Sequence, residues 1–421
     1  MRKVKPTTAI LHYSAPPVIG GVEGVMDAHA RIFLEKGCPV TIIAGQGSAD
    51  ALPSGCEFIL IPELDSQHPD ILAAGAILEQ GKIPENFDFL MGRLLAALGS
   101  LLPRFDNLIV HNVFTKHFNL PLTAALWTLL DEGTINNCIA WHHDFTWTSP
   151  RSRSKVHEGY PWDLLRTYRP DMTQVTISQQ RKQELVGLYN CPEEAVQVIV
   201  NGVDAAQVLG LTAEGAALVD RLDLLDADLI LLMPVRVTKN KNVEYALDVV
   251  VALKEEGVKV KLVLTGPPDP HDVQSMAYFR GLQERRDALG LQEEMHFVFE
   301  SGPEAGEPYQ IPLEMVYDLY RVADLMFMPS YQEGFGMPVL EAGLVGLPVI
   351  ASDTVPAAQE IGAEDVLLFN LDQPPEALAG ELLHLADEDK RLGLARRTRQ
   401  NFTWEAIFKK RIAPLLHPNR L

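Results

Sequence analysis

The stretch "ADLMFMPSYQEGFGMPVLEAGLVGLPVIASD", residues 323–353, reads as a strand, a glycine turn, a helix and a second strand. The apolar run Leu325 to Met328 ends in Pro-Ser, and Gly334-Phe335-Gly336 follows after three more residues. Pro338 then falls where a helix would begin, a position at which its missing N–H is harmless. "PVLEAGLVG" continues as a helix, and "PVIASD" starts the next strand. A helix between two apolar strands is the signature of a parallel sheet with helical crossovers.

The same alternation runs outward from this stretch in both directions. Toward the N-terminus, "ADLILLMPVRVT", the helix "NVEYALDVVVALKEEG", the strand "VKLVLTGPP", a helix around "MAYFRGLQERRDALG" and "MHFVFE" belong to the same unit. The first half has its own series. "TTAILHY", the loop "SAPPVIGG" and the helix "VEGVMDAHARIFLEKG" lead into "PVTIIAG", "NLIVHNV", "NCIAWHHD", "TQVTIS" and "VQVIVNGVD". The seam lies near Asp204 to Asp228, read as helix and linker. The expected domains are residues 1–205 and 206–395. The last helix, "WEAIFKKRIAPLL" in 396–421, is expected to return to the first domain. Two parallel α/β domains in tandem imply a cleft. Ligands of such folds bind outside the carboxyl ends of strands, at switch points and helix N-termini.

Composition narrows the function classes. The 421 residues carry a formal net charge of −20, which repels nucleic acid phosphates. An anionic ligand must therefore be held by a local cluster of Arg and Lys. No apolar run approaches the ~20 residues of a membrane span, and "FLMGRLLAALGSLL" is broken by Arg93. The basic start "MRKVKPTTAILHY" has only Ala9-Ile10-Leu11 as an apolar part, so no export signal is read there. Cys38, Cys56, Cys138 and Cys191 lie far apart, without CxxC spacing. Reduced thiols, a cytoplasmic location and no zinc site are expected.

The candidate site residues gather at strand ends. After "ADLMFMPS", Gly334 and Gly336 permit positive φ and a close backbone approach. The first-turn N–H groups near Met337, Pro338 and Val339 make an anion site. Glu333 and Glu341 would repel a phosphate but can accept hydrogen bonds from hydroxyls. A nucleotide diphosphate sugar meets both demands. Arg236 and Lys241 in "PVRVTKNKN" supply a planar fork and a point charge, suited to two phosphates. Gly266, ending "VKLVLTG", is a further substrate-binding candidate. Gly20 and Gly21 in "PPVIGGVEG" are open to two readings, an ordinary β–α turn or a close approach of backbone to ligand. In "AWHHDFTW", neighbouring side chains of a strand point to opposite faces, so His142 and His143 do not form a metal pair. His143 alone, beside Asp144, is a candidate hydrogen-bond partner for a sugar or phosphate. Arg151, Arg153, Lys155, Arg166 and Arg169 read as a solvated loop, or as a holder of an anionic acceptor. Asp226-Ala227-Asp228 has a DxD form but starts a strand, away from the ligand edge, and reads as a cap.

Together these residues resemble the retaining glycosyltransferases of family four. "EGFGMPVLEAGLVGLPVIASD" matches that family's E-x7-E donor motif. "VRVTKNKN" looks like its Arg-x4-Lys diphosphate motif, "VIVNGVD" its turn before the linker, His143-Asp144 its first-domain histidine, and "GGVE" its N-terminal glycine loop. The resemblance implies α/β architecture of the GT-B type, with two Rossmann-like doubly wound domains facing a central cleft. It implies that Arg236 and Lys241 hold the diphosphate and that amides from Gly334 through Phe335, Gly336 and Met337 to Val339 touch the donor. Glu333 would bind sugar hydroxyls, Glu341 the ribose, and His143 would face the donor sugar. The implied reaction moves a hexose from a UDP- or GDP-sugar to a hydroxyl of a carbohydrate or other small molecule. It retains anomeric configuration and needs neither metal nor other cofactor. No nucleic acid partner and no membrane association are expected. The longer loop "SGPEAGEPYQIPLE" leaves the base open between uridine and guanosine. Competing readings are a transferase with a sugar-phosphate acceptor, as in sucrose-phosphate synthases, and a non-catalytic nucleotide-sugar binding protein. A GT-B epimerase is disfavoured by the E-x7-E pattern.

Overall fold

Every strand pairing in the computed structural model, which describes residues 5–269 and 274–416, is parallel. Arg2 and Lys3 of the basic start lie outside the described residues. The chain divides into two units, one of Met1–Gly202 with Trp404–Leu421, the other of Val203–Thr403.

The first unit is built on β1 (Thr8–Ser14), β2 (Val40–Gln46), β3 (Glu57–Leu60), β4 (Asn107–His111), β5 (Cys138–His142), β6 (Met172–Thr176) and β7 (Val196–Val198). Their order in the sheet is β3-β2-β1-β4-β5-β6-β7, so the winding reverses between β1 and β4. β4 and β5 are buried at every position, as strands covered by helices on both faces must be. Ile10, Ile42, Ile109 and Ile139 pack with Met26, Ala30 and Phe33 of the helix Gly21–Glu35. Ala9, Leu11, Leu108 and Val110 point the other way, toward Leu94 and Leu98 of Phe87–Leu101 and Leu126 of Leu120–Asp131. Arg93 stands on the outer side of Phe87–Leu101 and pairs with Glu63. Among the described residues, no helix is long and apolar enough to cross a membrane.

The C-terminal segment belongs to this unit. Ile407, Phe408 and Ile412 join the core of the Gly21–Glu35 face. The Phe408 ring lies 5.1 Å from that of Phe33, and Trp404 lies 5.2 Å from His29. Asn137 Nδ2 donates to Leu415 O at 3.0 Å. The segment is helical from Trp404 to Leu415, passing from an α-helical turn at Trp404–Ile407 through a wider turn at Phe408–Ile412 to a tighter one at Ala413–Leu415. Pro414 lacks an N–H and crowds the carbonyl four residues back, so a regular helix cannot run through it.

The second unit contains β8 (Leu229–Met233), β9 (Val260–Leu264), β10 (Met295–Phe297), β11 (Leu325–Met328), β12 (Val349–Ser352) and β13 (Val366–Phe369). The order β10-β9-β8-β11-β12-β13 reverses between β8 and β11. This is the doubly wound Rossmann arrangement, in which ligands are taken up at the reversal point. The helix Lys390–Asn401 stays with this unit. Arg399 clamps Asp324 through Nη1–Oδ1 at 3.0 Å and Nη2–Oδ2 at 2.9 Å, while Ile230 N donates to Asp324 Oδ2 at 2.8 Å. The ion pair is buried, so every charge in it needs these partners. The seam forms two short helices, Ala205–Leu209 and Ala213–Arg221.

Candidate functional site

At the reversal point of the second unit, β8 delivers the segment Pro234–Asn242 and β11 the segment Pro329–Gly336 to the same sheet edge. The two segments are joined directly. Tyr331 N donates to Asn240 O at 2.8 Å. Lys241 Nζ lies 2.5 Å from Glu333 Oε1, and Ser330 Oγ donates to the same oxygen at 2.8 Å. Ser352 and Thr354 both donate their hydroxyls to Ser330 O at 2.6 Å, which pins the end of β11. Only 18% of the Lys241 side chain and 10% of the Glu333 side chain are exposed.

The glycine turn then aims the next helix. Gly336 has φ of 102°, and a Cβ there would meet Val355 Cγ1 at 2.8 Å. Glycine is required on both counts. Gly334, expected to share that conformation, is not among the positive-φ glycines and faces open space. Ala357 N donates to Phe335 O at 2.8 Å and anchors the turn. The helix Met337–Val345 starts at once, with Pro338 in its first turn and no side chain capping its N–H groups. Val339 N donates to Gly336 O at 3.0 Å and Pro338 has no N–H, so what this helix start offers an anion is chiefly its partial positive charge. Glu341, inside this helix, receives a 2.7 Å hydrogen bond on Oε2 from the hydroxyl of Tyr320.

Arg236 is mostly exposed, with Nη1 3.9 Å from Asp269 Oδ1. Gly266 has a structural task beside it. Its N–H donates to Val235 O at 3.0 Å, and a Cβ there would lie 2.4 Å from that oxygen and 2.7 Å from Arg236 Cα. The absent side chain lets the Arg236 segment lie against the end of β9.

On the first unit, β1, β4 and β5 bring histidines to their carboxyl ends. His12 Nδ1 lies 2.9 Å from His111 O, and His111 Nδ1 lies 3.0 Å from His143 Nε2. Asn112, in the left-handed region at φ 60°, accepts on Oδ1 from His143 N at 2.8 Å and from Asp144 N at 3.2 Å. Asn tolerates that conformation better than most residues. His142 points away, toward Gln174 Oε1 at 2.9 Å and Thr115 Oγ1 at 3.3 Å. Among the described residues, no group of three or more His, Cys, Asp or Glu is placed to hold a metal. Burial, then His12 and His142, lower the His143 pKa to about 4. His143 is therefore neutral at pH 7. Asp144 is exposed and meets Arg181 Nη2 at 3.0 Å. Gly20 makes room for Glu23, whose Oε2 would lie 2.1 Å from a Cβ there, while Gly21 has open space around it. Glu23 in turn accepts from Ser14 Oγ.

The basic run of the first unit is largely satisfied by its own neighbours. Arg166 pairs with Glu158 and Asp163, Arg169 with Asp131 and Asp171, and Lys155 with Glu79. Arg153 and Arg166 lie against the Trp147 ring at 4.4 and 4.1 Å. The DxD pair is a cap. Lys259 Nζ lies 2.8 Å from Asp226 Oδ2, and Asp228 Oδ2 accepts from Lys259 N at 2.9 Å. His111, Asn112, Ser330 and Tyr320 join the candidate site only through the contacts of the folded chain. An Asn directly after a strand-end His was a visible cue for the first two. The bond from Tyr320 to Glu341 spans 21 residues and leaves no local signal.

Comparison with known proteins places both units. Residues 19–207 match the family described as Glycosyltransferase Family 4, and residues 220–402 match Glycosyl transferases group 1. A mannosylglucosylglycerate synthase of Petrotoga mobilis is 26% identical over 58% of this chain, and the match spans 59% of that protein's length. The synthase of the same name from Thermotoga maritima is 24% identical over 81% of this chain and 79% of its own. A crystal structure of a glycosyltransferase from Rickettsia africae aligns over 98% of both chains at 18% identity, with a TM-score of 0.35. Its two halves matched in turn by these two families, the chain belongs to the family 4, group 1 glycosyltransferases.

Proposed function

We propose that this chain transfers a hexose from a UDP- or GDP-sugar to an acceptor hydroxyl, with retention and without a metal. The observation that carries the reading is the pairing of Lys241 with Glu333 where β8 and β11 part. A cation and a carboxylate beside an uncapped helix start suit a ligand with phosphates next to hydroxyls. The ammonium has three N–H donors, so Lys241 can keep Glu333 and still give two to phosphate oxygens. Arg236 reaches the second phosphate. The amides from Gly334 to Val339 line the donor, Glu333 takes sugar hydroxyls and Glu341 the ribose. His143, neutral, gives or accepts one hydrogen bond at the donor sugar.

The mechanism follows from charge. As the glycosidic bond breaks, positive charge grows on the sugar and negative charge on the departing diphosphate. Arg236, Lys241 and the first-turn amides stabilise that negative charge, the task a divalent cation performs in other sites. The acceptor hydroxyl attacks from the face the diphosphate leaves and gives its proton to the departing phosphate oxygen. The two mannosylglucosylglycerate synthases support a sugar-derived acceptor. The four unpaired thiols support a cytoplasmic location.

A thermal-shift screen tests this reading. UDP, GDP, ADP and their hexose conjugates are compared with the monophosphates. One of UDP or GDP is expected to raise the melting temperature, and its monophosphate to raise it less. No shift from any diphosphate overturns the reading. Slow release of nucleoside diphosphate from the sugar conjugate then distinguishes a transferase from a binding module.

A further inference from the structure

The Tyr320–Glu341 bond joins two helices of the second unit. Tyr320 lies in Leu313–Val322 and is 2% exposed. Its hydroxyl donates to Glu341 Oε2 at 2.7 Å, and no other partner of that hydroxyl is seen among the described residues. Burial, then Glu341 itself, push the phenol pKa above its ordinary value, so the group stays a donor. Glu341 is half-buried, on the helix that begins at the glycine turn. A long carboxylate side chain has several rotamers, and one held by a packed phenol loses that freedom before any ligand arrives. The bond occupies Oε2 and leaves Oε1 without a partner among the described residues.

We propose that Tyr320 is a positioning residue, fixing the Glu341 carboxylate as a ready acceptor for ribose hydroxyls and so setting the preference for ribonucleotides over deoxyribonucleotides. The inference rests on the proposed role of Glu341 in binding ribose. A fixed acceptor gains from a hydroxyl and is left unpaired without one, which is how a site rejects an analogue lacking a single OH. A carboxylate loose among rotamers discriminates less.

The test uses the full chain and isothermal titration with UDP and GDP, each beside its 2′-deoxy and 3′-deoxy analogues. The wild type is expected to favour the ribonucleotide at least tenfold over one deoxy analogue, and Glu341→Gln to lose most of that ratio. Tyr320→Phe keeps the buried ring and removes only the hydroxyl. It is expected to shrink the ratio at least threefold while affinity for the deoxy analogue stays within twofold of wild type. A purely structural role would weaken ribo- and deoxynucleotide alike, and that outcome overturns the proposal. So does a Tyr320→Phe ratio within twofold of wild type when Glu341→Gln has lost its own. If Glu341→Gln retains the full ratio, the ribose role of Glu341 fails and the proposal falls with it. The melting temperature of each variant separates misfolding from these outcomes.

Discussion

Lys241→Ala is expected to lower turnover by about 10²–10³, the usual effect of removing one preorganised donor from a developing anion. Two losses add in this variant. The departing diphosphate loses an ammonium, and Glu333, held 2.5 Å from that ammonium, is left beside it as a negative charge with no counter-charge among the described residues, bonded to Ser330 Oγ. The loss should fall on the rate at saturating donor, because the leaving group carries more negative charge in the transition state than in the bound donor. Lys241→Arg keeps the charge but not the compact geometry, and is expected to lie between wild type and Lys241→Ala. Steady-state kinetics with the donor found in the thermal screen gives the answer. A change in kcat below about threefold contradicts the assignment of Lys241.

The first unit is expected to lose its stability between about pH 6.5 and pH 4.5, while the second unit remains folded. Burial lowers the pKa of His29 to about 3 and those of His142 and His143 to about 4. It also lowers His12, against opposing pulls from the His111 backbone and then Glu23, and holds His111 well below its ordinary value. In the unfolded chain each imidazole takes its proton near pH 6.5. As pH falls through that value, the unfolded state binds protons that the folded state refuses, so stability declines with pH. The first three histidines alone would each remove about 2 kcal/mol by pH 5, a sum comparable to the whole stability of a domain. His296 is the one histidine of the second unit, among its described residues, with a lowered pKa. Trp127, Trp141, Trp147, Trp162 and Trp404 all lie in the first unit. Tryptophan fluorescence therefore reports that unit alone. Its urea midpoint should drop steeply from pH 7.5 to 5, and a midpoint unchanged over that range contradicts the burial of these rings as neutral groups.

The fold was legible wherever strands are buried on both faces. β1, β4, β5, β8, β9, β11 and β12 read as apolar runs because helices cover them above and below. β3 and β13 are not legible as strands because exposed and half-exposed residues break their apolar runs. The last helix is legible from its apolar spacing, and only its change of winding toward Pro414 is not. Within the site, Glu333, Gly336 and Lys241 could be singled out from local chemistry, since each breaks the apolar pattern at a strand end. Their pairing could not, because it joins residues 92 positions apart. The need for glycine at 266 comes from the backbone of Val235 and Arg236, distant in the sequence, and has no local signal. Arg166 and Arg169 were visible as a charge run, but the carboxylates that take them up come from scattered positions.

The most direct measurement is the affinity of the preferred nucleoside diphosphate relative to its monophosphate, by isothermal titration, in wild type and in the Arg236→Ala, Lys241→Ala double variant. The wild type should bind the diphosphate at least tenfold tighter, and the double variant should bring the two affinities within about threefold of each other by loss of the charged contacts. A double variant that keeps the full wild-type ratio would show that the diphosphate is held elsewhere than at the parting of β8 and β11.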